Sequence, residues 1–286
     1  MLLLVGALVE AIRLAVTRIP ADTVDTLRKA YEEENNGIAR FNLENILRAI
    51  EIGRERSIPV CQDTGTMTFF IRAGVESPFL KELEGAIIEA VRRATLEVPL
   101  RPNAVDVLNG KNSGDNTGRG VPVIHWEVDK GDEVEIAVFP KGGGSENCSA
   151  LAMLTPGEGW EGVKRFVVEK VRTCGGKPCP PVIIGVGVGG GADYSLKLAK
   201  GALLRKIGER NPNKEIAKIE EELQEEINAL GIGPMGMGGK TTALDVKIEV
   251  AHRHPASFPV GLAIQCWANR RAFLRLKPNG RVEIWQ

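Results

Sequence analysis

The chain has 286 residues, 43% of them hydrophobic and 26% charged, with 37 Lys and Arg against 37 Asp and Glu. That length suits about two domains or one large one, and the balanced charge excludes a chain drawn by net charge to nucleic acid or to an anionic membrane. Five dispersed cysteines exclude a small disulfide-stapled secreted scaffold. They point to a reducing, cytoplasmic setting in which cysteine binds metal or does chemistry.

The run from Met1 to Val9 is apolar, but Glu10 and Arg13 break it short of membrane-spanning length. No basic segment precedes it, so it reads as an amphipathic helix, buried or facing another subunit, rather than a signal peptide. Residues 1–57 read as helical throughout. Within them, 41–54 carry Leu43, Ile46, Leu47 and Ile50 near helical spacing, with Asn42 as the cap and the Ser57-Ile58-Pro59 step as the end. A loop bearing Cys61 follows, then a strand over 67–73, a helix over 81–96 and a turn-rich segment over 102–122. Residues 121–127 and 133–139 alternate like strands, and Asp129-Lys130-Gly131-Asp132 between them has the composition of a hairpin turn. After a Gly-rich loop at 141–145, helices are expected over 145–154 and 159–173. A buried strand is expected over 181–188, then a helix over 193–206 and a charged, exposed helix over 215–230. Strands over 245–252, 261–266 and 281–285 close the chain. The fold class is α+β (mixed α/β), with mixed sheets and hairpins flanked by helices in two lobes. No composition break marks an internal boundary.

A lone cysteine is more often a small buried hydrophobe than a ligand, and Cys148 and Cys174 fit that description. Cys61, followed by Gln62-Asp63-Thr64, and Cys179, set between prolines, fit it badly. With Cys266 they form three cysteines in loop-like settings, and three thiolates meeting at one point can hold an iron–sulfur cubane with its fourth iron open. Spacing alone leaves their use open, because neither the clustered ferredoxin pattern nor the paired Cys-x-x-Cys of zinc sites is present. The loop at 141–145 and Gly236–Thr242 each carry a weak flavour of a phosphate loop without its residue order, and the Gly-x-Gly-x-Gly of Gly185–Gly191 weakly resembles a dinucleotide fingerprint, which a tight strand-to-helix turn explains as well. His252 and His254, two apart, read first as a polar strand end. Arg92 and Arg93 read as solvated helix charges.

Taken in order, Cys-Gln-Asp-Thr-Gly-Thr at 61–66, Lys-Gly-Gly-Gly-Ser-Glu-Asn at 141–147, Cys-Pro-Pro at 179–181, Gly-Gly-Lys at 238–240, and His254-Pro-Ala-Ser-Phe-Pro-Val-Gly on to Cys266 resemble the class I fumarate hydratases and L-tartrate dehydratases. These are oxygen-sensitive iron–sulfur hydro-lyases. The resemblance runs from about residue 40 to the C-terminus. It implies that Cys61, Cys179 and Cys266 hold a 4Fe-4S cluster with one open, Lewis-acidic iron. It also implies that Gln62, Arg93, Gly144 and His254 line the substrate, with Asp63 an acid beside the cluster. Asp63 and His254 would then carry or orient the proton, and Arg93 would clamp a substrate carboxylate.

One-chain members of that family have a further C-terminal domain that adds arginines, a lysine and a threonine to the site. Residues 1–286 therefore resemble a single cluster-binding catalytic domain, the α subunit of the two-subunit type. A separate β subunit in an α2β2-type heteromer would complete it. The expected reaction is reversible hydration of a small dicarboxylate, fumarate and malate first and L-tartrate second, with no nucleic-acid or membrane partner. The alternative from another class is an electron-transfer or regulatory iron–sulfur subunit, which would need four protein ligands. A zinc-stabilised binding module would be colourless.

Overall fold

The computed structural model describes residues 2–286, the side chain of Leu2 aside. Its helices are α1 (Leu2–Thr17), α2 (Ala21–Glu33), α3 (Gly37–Arg56), α4 (Leu80–Glu97), the single turn α5 (Gly143–Glu146), α6 (Gly159–Cys174), α7 (Ala192–Ala202) and α8 (Lys214–Ala229). Its strands are β1 (Thr66–Gly74), β2 (Val123–Asp129), β3 (Val134–Lys141), β4 (Ala150–Leu154), β5 (Val182–Gly190), β6 (Ala243–Arg253), β7 (Phe258–Gln265), β8 (Ala272–Leu276) and β9 (Val282–Trp285). This is the expected α+β class. Two compact units emerge. One holds the chain up to Pro20, Ala49–Gly143 and Arg270–Gln286; the other holds Ala21–Arg48 and Gly144–Asn269, and the division falls within α3.

In the first unit the strands run in the order β2-β1-β3-β8-β9. Leu8 and Ile12 of α1 and Ile87 and Val91 of α4 are fully buried in the same core as Phe69 and Ile71 of β1. The apolar N-terminal run is thus a core helix, held by burial of its aliphatic face. The hairpin expected between β2 and β3 is not formed, because β1 lies between them. It pairs in parallel with β2 (Phe70↔His125) and antiparallel with β3 (Phe70↔Ala137). The polar turn instead arcs over the end of β1. Gly74 N donates to Glu133 O, Val75 N to Asp129 O and Glu76 N to Gly131 O, each at 2.9 Å. A Cβ on Gly74 would stand 2.2 Å from Gly131 O, so this close crossing requires glycine. A hairpin does close the sheet, between β8 and β9.

The second unit carries the order β4-β7-β5-β6. Residues 150–154 form the edge strand β4 rather than the expected helix. They alternate partly buried with exposed positions, Leu151 and Met153 facing out, and a short alternating run of this kind reads as readily as helix from sequence. α7 lies hard against the sheet. A Cβ at Gly185 would meet Ala199 O at 2.0 Å, and one at Gly187 would meet Ser195 O at 2.0 Å. The Gly-x-Gly pattern of β5 therefore serves helix–sheet contact and not a dinucleotide. α8 is not simply exposed, since Ile216, Glu220, Leu223 and Ile227 are buried. α3 begins ahead of the expected Asn42: the Asn36 side chain accepts from Ile38 N at 3.0 Å and Ala39 N at 3.2 Å, a side-chain cap.

Unit two also buries a charge network. Lys247 Nζ stands 2.7 Å from Asp245 Oδ2, with side-chain exposures of 0% and 1%. Asp245 also accepts from Arg210 Nη1 at 2.6 Å and Gly208 N at 2.7 Å. Burial pushes the Lys247 ammonium below the usual lysine value, against the pull of Asp245. Asp245→Asn is expected to cost about 3–5 kcal/mol of stability, the penalty of breaking a buried pair from one side. A lysine whose folded pKa lies below its unfolded value gains stability as pH rises between the two. The deficit should thus be largest near neutrality and shrink at alkaline pH, as read by denaturant unfolding at both. A deficit independent of pH would mean that Lys247 is not the group left stranded.

Candidate functional site

Cys61 opens the turn between α3 and β1. Asp63 organises that turn. Its Oδ1 accepts from Gly65 N at 2.9 Å and from Asn103 Nδ2 at 3.4 Å, and its Oδ2 from Gly143 N at 2.8 Å. Both carboxylate oxygens are therefore committed to holding backbone in place. Gly65, with φ of +85°, would bring a Cβ to 2.8 Å of Pro140 C, so the turn sits directly on the end of β3. Thr64, buried, accepts from Arg101 N at 3.1 Å and donates to Arg101 O at 3.3 Å. Gln62, beside Cys61, is exposed.

Two arginines of this unit, Arg101 and Arg270, bear on the turn, whereas Arg93 is held on its own helix. Arg93, on α4, pairs its Nε with Glu97 Oε1 at 2.8 Å and is 37% exposed. Arg101 is exposed, and its side chain makes no hydrogen bond or ion pair among the described residues, while its backbone is fastened to Thr64. Arg270 is 1% exposed and donates from Nη1 to the backbone oxygen of Asp63. Only the fold brings Arg101 and Arg270 to the turn. Arg101 directly precedes Pro102-Asn103, whose side chain reaches Asp63. Arg270 had no signal beyond following the Cys266 segment.

In the second unit, Cys179 sits just ahead of β5 at φ +55°, a conformation few non-glycine residues adopt. Its carbonyl accepts from Trp267 N at 3.4 Å, which brings the Cys179 and Cys266 turns together. Gly144 lies against the same segment, where a Cβ would stand an ordinary 3.5 Å from Lys177 O. Space inside the chain thus does not require glycine there. His254 is elsewhere. Cys179 precedes Val182 and Cys266 follows Gln265 at one end of the sheet, whereas His254 follows Arg253, which pairs with Gly190 at the other end. The two ends of β5 are roughly 26 Å apart at ~3.3 Å per residue. Within its own unit His254 therefore stands at the opposite end of the sheet from Cys179 and Cys266. His254 Nδ1 accepts from Ala256 N at 3.1 Å. Arg253 Nη1 donates to the carbonyls of His254, Pro255 and Ser257 at 3.1, 3.1 and 3.3 Å and stiffens that turn.

Gly236–Thr242 is a latched turn rather than a phosphate loop. Buried Glu34 accepts from Lys240 N at 2.7 Å, and Lys240 Nζ donates to Glu33 O at 2.7 Å.

None of the five cysteines is in a disulfide; Cys61, Cys179 and Cys266 are partly exposed, while Cys148 and Cys174 are buried in the second core. Among the described residues, no group of three or more His, Cys, Asp or Glu gathers closely enough to hold a single metal ion. A cubane makes a different demand, because each thiolate binds a different iron and the sulfurs need not converge on one atom. Three accessible thiols in turns suit that donor chemistry. Among the described residues, no helix is long and apolar enough to cross a membrane.

A family model described as fumarate hydratase (fumerase) matches residues 5–275. The chain is 50% identical to a Methanocaldococcus jannaschii protein provisionally named L(+)-tartrate dehydratase subunit alpha, over 96% of this chain and 98% of that one. It is 40% identical to the L(+)-tartrate dehydratase subunit alpha of Escherichia coli K12 and to that of Shigella sonnei, over 90% of this chain and 86% of each relative.

Proposed function

The chain belongs to the fumarate hydratase family and is a hydro-lyase, and on that premise we propose that it is the α subunit of an iron–sulfur enzyme that dehydrates L(+)-tartrate. The observation that carries this is the likeness to tartrate dehydratase α subunits across nearly the whole chain. Hydration of fumarate, the first expectation, is favoured by the family model alone.

Loss of water from tartrate removes a proton from the carbon beside one carboxylate and expels the hydroxyl of the next carbon. The enol that results becomes a 2-oxo dicarboxylate. Cys61, Cys179 and Cys266 would hold the 4Fe-4S cluster, which when bound supplies a Lewis-acidic iron to the departing hydroxyl. Everything else asked of this chain is positioning and charge. Gln62, exposed beside Cys61, offers an amide to the substrate. Gly144 leaves its backbone open to it. Asp63 keeps the turn in shape, since its oxygens already accept backbone and Asn103 N–H groups. His254 lies at the far end of its sheet from Cys179 and Cys266. A β subunit would supply the remaining cations around a dianionic substrate.

Geometry favours Arg101 over Arg93 as this chain's carboxylate clamp. Arg101 is fastened to the Cys61 turn with a guanidinium that makes no hydrogen bond or ion pair among the described residues, whereas Arg93 is engaged with Glu97. A fork of parallel N–H groups to a carboxylate is not reproduced by an ammonium. Arg101→Lys should therefore lower kcat/KM by about 1.5–3 kcal/mol, or roughly 10–150-fold. Arg93→Lys keeps an ion pair with Glu97 and should change it less than about threefold, the scale of an exposed helical pair. The reverse ranking would return the clamp to Arg93.

The function itself is tested with the chain alone and with its co-expressed β partner, both reconstituted anaerobically and assayed with L-tartrate and L-malate. Turnover of tartrate by the complex, above that of malate and absent from the lone chain, is expected. A higher specificity constant for malate would establish the fumarate reaction instead. Full activity of the lone chain would overturn the two-subunit assignment.

A further inference from the structure

Arg270 is among the largest fully buried side chains of the protein, at 1% exposure. An arginine stays charged wherever it is put, so its charge is buried with it. Burial of a charge is tolerated where an acid answers it. Here none does: the guanidinium makes no ion pair among the described residues. Its Nη1 donates to the backbone oxygen of Asp63, and its Nε is buried with no hydrogen-bond partner. The nearby Asp63 carboxylate is turned to Gly65, Gly143 and Asn103. A neutral donor would serve to staple a carbonyl. A permanent cation in that place is unbalanced unless an anion arrives.

We infer that Arg270 is a positioning residue with two linked tasks: it fixes the Cys61–Asp63 turn through the Asp63 carbonyl, and its charge offsets that of the anionic thiolate-bound cluster which Cys61 helps to hold. The inference rests on the cluster assignment of the proposed function. It assigns Arg270 no contact with substrate. Its distinctive consequence is thermodynamic. The buried charge should weaken the protein before the cluster is installed and strengthen it afterwards, whereas a simple staple should strengthen both states alike.

The test compares the wild-type complex with Arg270→Lys, Arg270→Gln and Arg270→Met. Thermal midpoints are recorded before and after anaerobic reconstitution with ferrous iron and sulfide, and iron and sulfide are counted per chain at limiting iron. Before reconstitution, Arg270→Met should melt at or above the wild type. Its gain on reconstitution should be smaller by at least about 3 °C, a shift within reach of one lost interaction in a protein of this size. Its iron content should fall at least ~3-fold, a loss of about one charge-assisted hydrogen bond or less. Arg270→Lys, which keeps the charge, should recover most of the gain. Arg270→Gln, which keeps a donor but no charge, should not. If Arg270→Met fails to fold, the Lys-over-Gln ranking decides by itself. Equal gains for Lys and Gln, or midpoints lowered equally in both states with iron content unchanged, would overturn the inference and leave Arg270 a staple. A wild-type complex that takes up no iron would sink the cluster assignment, and this inference with it.

Discussion

Serine at Cys61, Cys179 or Cys266 is expected to leave the reconstituted complex with little bound iron and no measurable dehydratase turnover, while alanine at Cys148 or Cys174 leaves both near wild type. Exposure separates the two sets. The first three cysteines stand in turns and are partly exposed; Cys148 and Cys174 are 1% and 6% exposed and packed among Val163, Val167 and Val171. A buried thiol in an apolar core packs there as a small hydrophobe. A ligand must be a thiolate and must be reachable. A serine hydroxyl replaces the soft sulfur with a hard, weakly acidic oxygen, so loss of one ligand of three should be nearly complete. The check is iron and acid-labile sulfide per chain, with visible absorption, for all five variants under anaerobic conditions. Full iron content in any one of the three serine variants would remove that residue from the ligand set. Iron lost with Cys174→Ala, at unchanged unfolding midpoint, would put Cys174 in its place.

What could be read from the sequence followed how local its cause is. α1, α4 and β5 were legible because burial imposes a period that composition displays: Leu8, Ile12 and Val16 recur on one helical face, and Val182–Val188 is apolar on both faces of a covered strand. The hairpin reading of residues 129–132 failed because turn composition is local while pairing is not. β1, far back in the chain, inserts between the two strands. β8 was missed because it follows Arg270 and Arg271, both 1% exposed, and two consecutive arginines look like surface. The cysteine contexts were legible from their prolines and polar neighbours. The work of Asp63 was not, since one of its partners, Gly143, lies 80 residues away and the arginine on its carbonyl 207 residues away. The separation of His254 from Cys179 and Cys266 was equally hidden. It follows from the strand order, in which β7 carries the chain from one end of the sheet to the other.

Asp63→Asn should reduce turnover by roughly 10²–10⁴-fold, the range that loss of a general acid or base would also give, yet for a different reason. The carboxylate accepts from Gly65 N, Gly143 N and Asn103 Nδ2, using both oxygens. An asparagine offers one oxygen and one NH2 group, and whichever way it is turned, the NH2 faces a backbone N–H. One charge-assisted acceptor is lost, at about 1.5–3 kcal/mol, and one donor is left without an acceptor, at about 1–3 kcal/mol. Neither Gly65 nor Gly143 can easily move away to relieve this. Gly65 is pressed against Pro140 and Lys141 at positive φ, and Gly143 opens α5 two residues after the end of β3. The strain should pass to the Cys61–Thr64 turn. The two roles then part in their readouts. If Asp63 carries the proton, Asp63→Asn should keep a full complement of iron and lose only kcat, with the acid limb of its pH profile gone. If Asp63 shapes the turn, iron content at limiting iron should fall along with turnover, amide exchange over 61–65 should quicken, and the surviving activity should keep the wild-type pH profile. The hydrogen bonds favour the second pattern. An iron-replete Asp63→Asn complex with an altered pH profile would restore Asp63 as the proton carrier.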